Sequence, residues 1–117
     1  MRINHITIQC SDLDRSIKFY EEVVGLSIVN DMRGKGPFNI VFLANDANES
    51  SIELIQNNED SFNGEGISIG FGCNDVEAYH QELTDKGHTP TPIISPNPNV
   101  KFFFIEDPDG VKIQFIN

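Results

Sequence analysis

Three histidines, two cysteines and a scatter of carboxylates are the groups in this 117-residue chain that could move protons, attack carbon or hold a metal. His5 lies in an alternating run, His5-Ile-Thr-Ile-Gln-Cys10, where Ile6, Ile8 and Cys10 point one way and His5, Thr7 and Gln9 the other. Glu53 lies in a second alternating run, Ser51 to Gln56, with Ile52 and Leu54 on one face and Ser51, Glu53 and Ile55 on the other. An imidazole and a carboxylate on such faces can transfer protons or ligate a borderline or hard divalent metal. They can equally pair with each other as polar wall residues. Ser68, Gly70 and Gly72 share one face of a third run. Side chains that small leave a trough where a ligand could approach the backbone, or else accommodate sheet curvature or a bulge. Arg33 and Lys35 sit in a Gly/Pro-rich loop that could grip an anionic group, although most loop charges are merely solvated. Lys101 and Phe103 share strand parity and are expected on the side of Gln114 across the last hairpin. His80 reads as a helix-packing residue and His88 as a loop residue. Cys10 and Cys73 fall on helix-facing positions and read as small apolar residues rather than as a disulfide.

The elements that must position these groups occur twice. After the first strand, Ser11 and Asp12 offer oxygens to a helix start, and Leu13, Ile17, Tyr20 and Val24 recur at helical spacing. Gly25 stands where a C-terminal cap belongs. The run from Ile67 to Val76 repeats the pattern. Cys73 matches Cys10, Asp75 matches Asp12 and Gly87 matches Gly25, all at a near-constant offset. Ser51 to Gln56 matches Lys112 to Asn117, so Glu53 aligns with Gln114. Between the ends of each half lie further strands: Leu26 to Met32 and Asn39 to Ala44 in the first, Lys101 to Glu106 in the second. A proline-rich edge segment, Thr89 to Val100, precedes the last of these. Asp107-Pro-Asp-Gly110 is a tight turn. The spacing predicts repeat units over about 1–57 and 67–117 with a polar linker over about 58–66, in one domain, because one unit alone leaves a sheet face bare. The predicted core is Ile6, Ile8, Ile52, Leu54, Ile69, Phe71, Ile113 and Phe115.

The formal net charge of −10 disfavours nucleic acid and anionic membrane as partners. No apolar run is long enough to span a bilayer, and Asp12, Asp14 and Arg15 interrupt any signal-like stretch. A cytoplasmic location is the expectation, with a small neutral or cationic ligand mildly favoured.

The repeated strand-helix-strand-strand-strand unit, with His5 in its first strand, resembles the vicinal oxygen chelate superfamily of glyoxalase I, bleomycin resistance proteins and extradiol dioxygenases. The stretches Ser11-Asp-Leu-Asp-Arg-Ser-Ile-Lys-Phe-Tyr20 and Phe104-Ile-Glu-Asp-Pro-Asp-Gly-Val-Lys-Ile-Gln114 carry the likeness. The resemblance implies an α+β fold of two βαβββ units whose curved mixed sheets form a cup-shaped site, with helices outside, in a homodimer. It implies glyoxalase-like, lactoylglutathione lyase-related chemistry on a small oxygen-rich molecule with one divalent metal (nickel, zinc, manganese or iron). The alternative is a metal-free sequestering protein of the bleomycin resistance type. Carried over, the four ligand positions fall on His5, Glu53, Ser68 and Gln114. Ser68 stands where histidine is usual and Gln114 where glutamate is usual. The metal set is then His5, Glu53 and Gln114, with Glu53 the one remaining carboxylate base. The substrate-binding set is Ser68, Gly70, Gly72, Phe103, Lys101 and Arg33.

Overall fold

The computed structural model describes residues 1–117, which divide into two units, Met1–Asn63 and Gly64–Asn117. In the first, strand β1 (His5–Cys10) gives way at Asp12, whose carboxylate accepts from the Arg15 N–H at 3.2 Å and caps helix α1 (Leu13–Phe19). The helix continues as a π-helical turn, Tyr20–Val24, and stops at Gly25. There φ is +84°, a left-handed value that glycine adopts without a Cβ clash. Strands β2 (Ser27–Asp31), β3 (Ile40–Ala44) and β4 (Ser51–Gln56) follow. The sheet order is β1-β4-β3-β2, with β1 parallel to β4 and the other pairs antiparallel. Gln56 joins strand to helix: its side-chain oxygen accepts from Leu13 N–H and its amide donates to Ser11 C=O, both at 2.7 Å.

The second unit repeats the plan. It comprises β5 (Ser68–Gly72), α2 (Val76–Asp85), β6 (Ile94–Asn97), β7 (Val100–Glu106) and β8 (Lys112–Ile116), with sheet order β5-β8-β7-β6. Asp75 caps α2 by accepting from Ala78 N–H at 3.0 Å. Strand β6 is at the sheet edge, where Pro96 interrupts only one side of pairing. No helix is long and apolar enough to cross a membrane.

Each sheet buries one face against its helix. In the first unit Ile8, Cys10, Val41, Leu43, Ile52 and Leu54 meet Leu13, Ile17, Tyr20 and Val23. Val23, not Val24, is the fully buried valine of that turn. Ile69, Ile105, Ile113, Phe103 and Phe115 form the second core with Val76 and Leu83. Two expected core residues depart from this. Ile6 remains 38% exposed, and Phe71 is half-buried. Both lie on sheet-edge strands, β1 and β5, where a neighbouring strand covers only one flank. Ile8→Ala is therefore expected to cost about 2–5 kcal/mol in urea denaturation, by lost transfer energy plus a cavity. Ile6→Ala should cost under about 1 kcal/mol, as surface changes do. Equal losses at the two positions would show that burial does not follow strand parity here.

Candidate functional site

The polar face of the first sheet gathers one constellation. Thr7 stands directly opposite Glu53 in the β1–β4 ladder, and His5 lies one diagonal step away, opposite Ser51. Thr7 Oγ1 donates to Glu53 Oε1 at 2.5 Å, and His5 Nε2 lies 3.6 Å from the same oxygen. The Glu53 side chain is 14% exposed and that of His5 38%, so the acid is set deeper than the imidazole. Asn4 Nδ2 contacts His5 Nδ1 at 3.1 Å. With the Asn4 amide as donor, Nδ1 accepts and the ring hydrogen sits on Nε2, facing Glu53. The edge of the Phe42 ring pair completes the setting, with centroids 5.8 Å from His5 to Phe42 at 87°. Phe42 is itself the cross-strand neighbour of Glu53 on the other side. A cavity of about 190 Å³ adjoins this group, lined in part by Arg2, Asn4, Asn30, Phe42 and Ser51. Thr7, Asn4 and Phe42 were not singled out from sequence. The parallel register that places Thr7 against Glu53 was the missing information.

The second unit carries a neutral counterpart. Gln114 is half-buried and stands opposite Gly70, the repeat partner of Thr7. A Cβ at Gly70 would come within 3.1 Å of Gln114 Oε1, so the space over this glycine is taken by the glutamine side chain. Gly72 has open space above it, and Ser68 is exposed at the start of β5. The expected position of Phe103 and Lys101 is corrected. Phe104, not Phe103, lies opposite Gln114. The turn holds five residues between the paired Glu106 and Lys112, because Asp107 Oδ1 accepts from both Asp109 and Val111 N–H and draws Val111 into the turn. Phe103 is therefore fully buried in the core, edge-on to His80 at 5.0 Å, and cannot touch a ligand. Lys101 shares its parity and pairs with Glu77 of α2. The aromatic residues on the Gln114 face are Phe102 and Phe104, centroids 5.7 Å apart. His80 also contacts the Thr91 carbonyl through Nε2 at 2.9 Å, a structural tie.

Arg33 is engaged within its own loop. Its guanidinium donates to both carboxylate oxygens of Asp31, at 3.0 and 2.7 Å, and lies 3.7 Å from Asp14. The Arg33 hydrogen bonds hold the Asp31 carboxyl at about 2, below its ordinary 3.8. A depressed folded-state value means the pair stabilises the fold above the ordinary carboxylate value and is lost as pH falls through about 2. In Arg33→Ala, the Asp31 carboxyl should titrate higher than in the parent when followed by carbon-detected NMR, rising only part of the way toward 3.8, because the residue-33 backbone N–H still donates to it. An unchanged midpoint would assign the depression to another group. Neither cysteine is in a disulfide, and burial pushes the Cys73 thiol up, which disfavours a thiolate nucleophile.

The family model of the Glyoxalase/Bleomycin resistance protein/Dioxygenase superfamily matches residues 2–115. The chain belongs to this superfamily. It is 32% identical to a lactoylglutathione lyase of Haemophilus influenzae, over 99% of this chain and 92% of that protein. The trypanothione-dependent glyoxalase I of Leishmania major superposes with a TM-score of 0.77 at 26% identity, covering 100% of this chain and 86% of that one. TnmS3, an antibiotic binding protein from Streptomyces, superposes with a TM-score of 0.78 at 20% identity, covering 98% and 93%, and shares the fold. The chain is thus similar in sequence to a protein named a lyase and similar in fold to one named an antibiotic binding protein. The superfamily resemblance implied four ligand positions, and the donors standing at them here are imidazole and carboxylate on the first unit, hydroxyl and amide on the second. No three His, Cys, Asp or Glu side chains are arranged so that they could hold one metal ion.

Proposed function

We propose that this superfamily member is glyoxalase-like in chemistry, moving a proton on carbon next to a carbonyl in a small oxygen-rich molecule. Glu53 is the base, and the His5 N–H serves the carbonyl oxygen. The observation that supports the reading is the pair of contacts on one oxygen of Glu53. Thr7 and His5 both address Oε1, which leaves Oε2 to meet a substrate hydrogen. At 3.6 Å the His5 N–H lies in ion-pair range but beyond a hydrogen bond, so it can donate to a substrate oxygen instead. Glu53 takes the proton, the C–H electron pair forms a carbon–carbon double bond, and the carbonyl electrons move to oxygen, where the His5 N–H stabilises the charge. The hydrogen of the neighbouring hydroxyl passes to that charged oxygen, and return of the first proton from Glu53 to the adjacent carbon, as the second C–O bond becomes the carbonyl, completes an isomerisation with no other reagent.

The donor set does not fit a firmly held divalent metal. Of the four positions only two carry strong ligands. Glu53 Oε1 already accepts from Thr7, and the hydrogen on His5 faces that carboxylate rather than leaving a lone pair there. Gln114 offers a neutral amide oxygen and Ser68 a hydroxyl. Gln114, Ser68, Gly70 and Gly72 are proposed as neutral ligand contacts on the second sheet. We expect the working form to be a homodimer, which light scattering checks.

The test uses the hemithioacetal that isomerises to lactoylglutathione, the compound named in the Haemophilus influenzae relative. Turnover should be the same before and after treatment with EDTA. Loss of turnover with EDTA and recovery with nickel or zinc would overturn the metal-independent reading. The second reading is a sequestering protein. The uncharged pair Ser68 and Gln114 favours it, since neither can transfer a proton at neutral pH. It predicts saturable binding of a small cationic or neutral compound with no turnover.

A further inference from the structure

We infer that Thr7 is a positioning residue that fixes the orientation of the Glu53 carboxylate and reserves Oε2 for the ligand. The inference rests on the reading of Glu53 as the acting group. Thr7 Oγ1 donates to Oε1 at 2.5 Å across a direct β1–β4 pair, so the contact is set by ladder register and not by a long flexible side chain. A threonine on a strand has a restricted χ1, which aims its hydroxyl. His5 Nε2 addresses the same oxygen from the diagonal position. The Thr7 hydrogen bond holds Oε1, with the His5 nitrogen beside it in ion-pair range, and leaves the other oxygen directed away from the hydroxyl.

The internal repeat supplies an independent comparison. In the second unit the partner of Thr7 is Gly70, and the partner of Glu53 is Gln114. The hydroxyl is present under the acid and missing under the amide. A Cβ at Gly70 would stand 3.1 Å from the Gln114 Oε1, so the glutamine side chain crowds the position. An ionised carboxylate accepts hydrogen bonds only and is oriented by a donor. An amide carries its own donors and needs none. The two strand pairs therefore differ at both positions, donor with acid in one and glycine with amide in the other.

The test compares the parent with Thr7→Ser, which keeps the hydroxyl, and Thr7→Val, which keeps the shape and loses it. The first readout is the carbon-13 resonance of the Glu53 carboxylate in H₂O and D₂O. An isotope shift from the donated hydroxyl hydrogen should appear in the parent and in Thr7→Ser and vanish in Thr7→Val. The second is turnover of the hemithioacetal. Thr7→Val should lose about 10-fold or more in kcat with little change in KM, the loss of one hydrogen bond to a charged group. Thr7→Ser should stay within about threefold of the parent. An isotope shift that persists in Thr7→Val, or equal kcat values for the two variants, overturns the inference. If the parent shows the isotope pattern but no turnover, positioning stands and the assignment of Glu53 as a base fails.

Discussion

Glu53→Gln is expected to reduce hemithioacetal turnover by about 10²–10⁴-fold, the range that a positioned general base contributes. The substitution keeps the shape and one carbonyl oxygen, so Thr7 can still donate to it. It removes the ability to take a proton. The fold should be unaffected, because the residue lies on the polar face and the buried neighbours Ile52 and Leu54 point the other way. KM should change far less than kcat, since an amide can hold substrate in nearly the same place. Steady-state kinetics on the parent and the variant, with far-ultraviolet circular dichroism as the folding control, decide it. A variant within threefold of the parent would remove Glu53 from the chemistry. The comparison also separates the two functional readings: under the sequestering reading, Glu53→Gln weakens binding and leaves no rate to lose.

Much of this architecture was legible because each local signal agreed with its neighbours. Asp12 and Asp75 cap their helices as read, and Gly25 and Gly87 close them with positive φ. The repeat gave the element order and the equivalence of Glu53 with Gln114. What alternation alone could not give was which residues on adjacent strands stand opposite each other. The side of Phe103 was misread for that reason, since a five-residue turn and a four-residue turn place opposite faces on the partner strand. Thr7 went unnoticed as a partner of Glu53 because pairing between β1 and β4, distant in sequence, is invisible to local periodicity. Arg33 read as a free cation because a charge two residues away, Asp31, can turn back onto it only through the loop geometry. Ile6 shows the limit of parity itself: the face was read correctly, but an edge strand need not be covered along its whole length.

The double variant Ser68→His with Gln114→Glu is expected to raise affinity for nickel or zinc by about two orders of magnitude or more, through one added imidazole and one added carboxylate. The register explains why this pair, and not either change alone, should act. In the first unit His5 stands opposite Ser51 and lies diagonally from Glu53, with nitrogen and oxygen 3.6 Å apart. In the second unit Ser68 stands opposite Lys112 and lies in the same diagonal relation to residue 114. The double variant thus reproduces on β5 and β8 the His–Glu geometry found on β1 and β4. Glutamate is isosteric with glutamine, so the new carboxylate can take the place that Gln114 holds over Gly70. Ser68 is exposed, so an imidazole has room. No threonine stands beneath the new acid, and both its oxygens remain available to a cation, unlike those of Glu53. Calorimetric titration with nickel, against the parent and both single variants, provides the cycle. The two changes should be more than additive in binding free energy. A folded double variant with the parent's affinity would show that the β5–β8 diagonal does not bring residues 68 and 114 onto one ion. Tight binding by the parent itself would overturn the metal-independent chemistry proposed for Glu53.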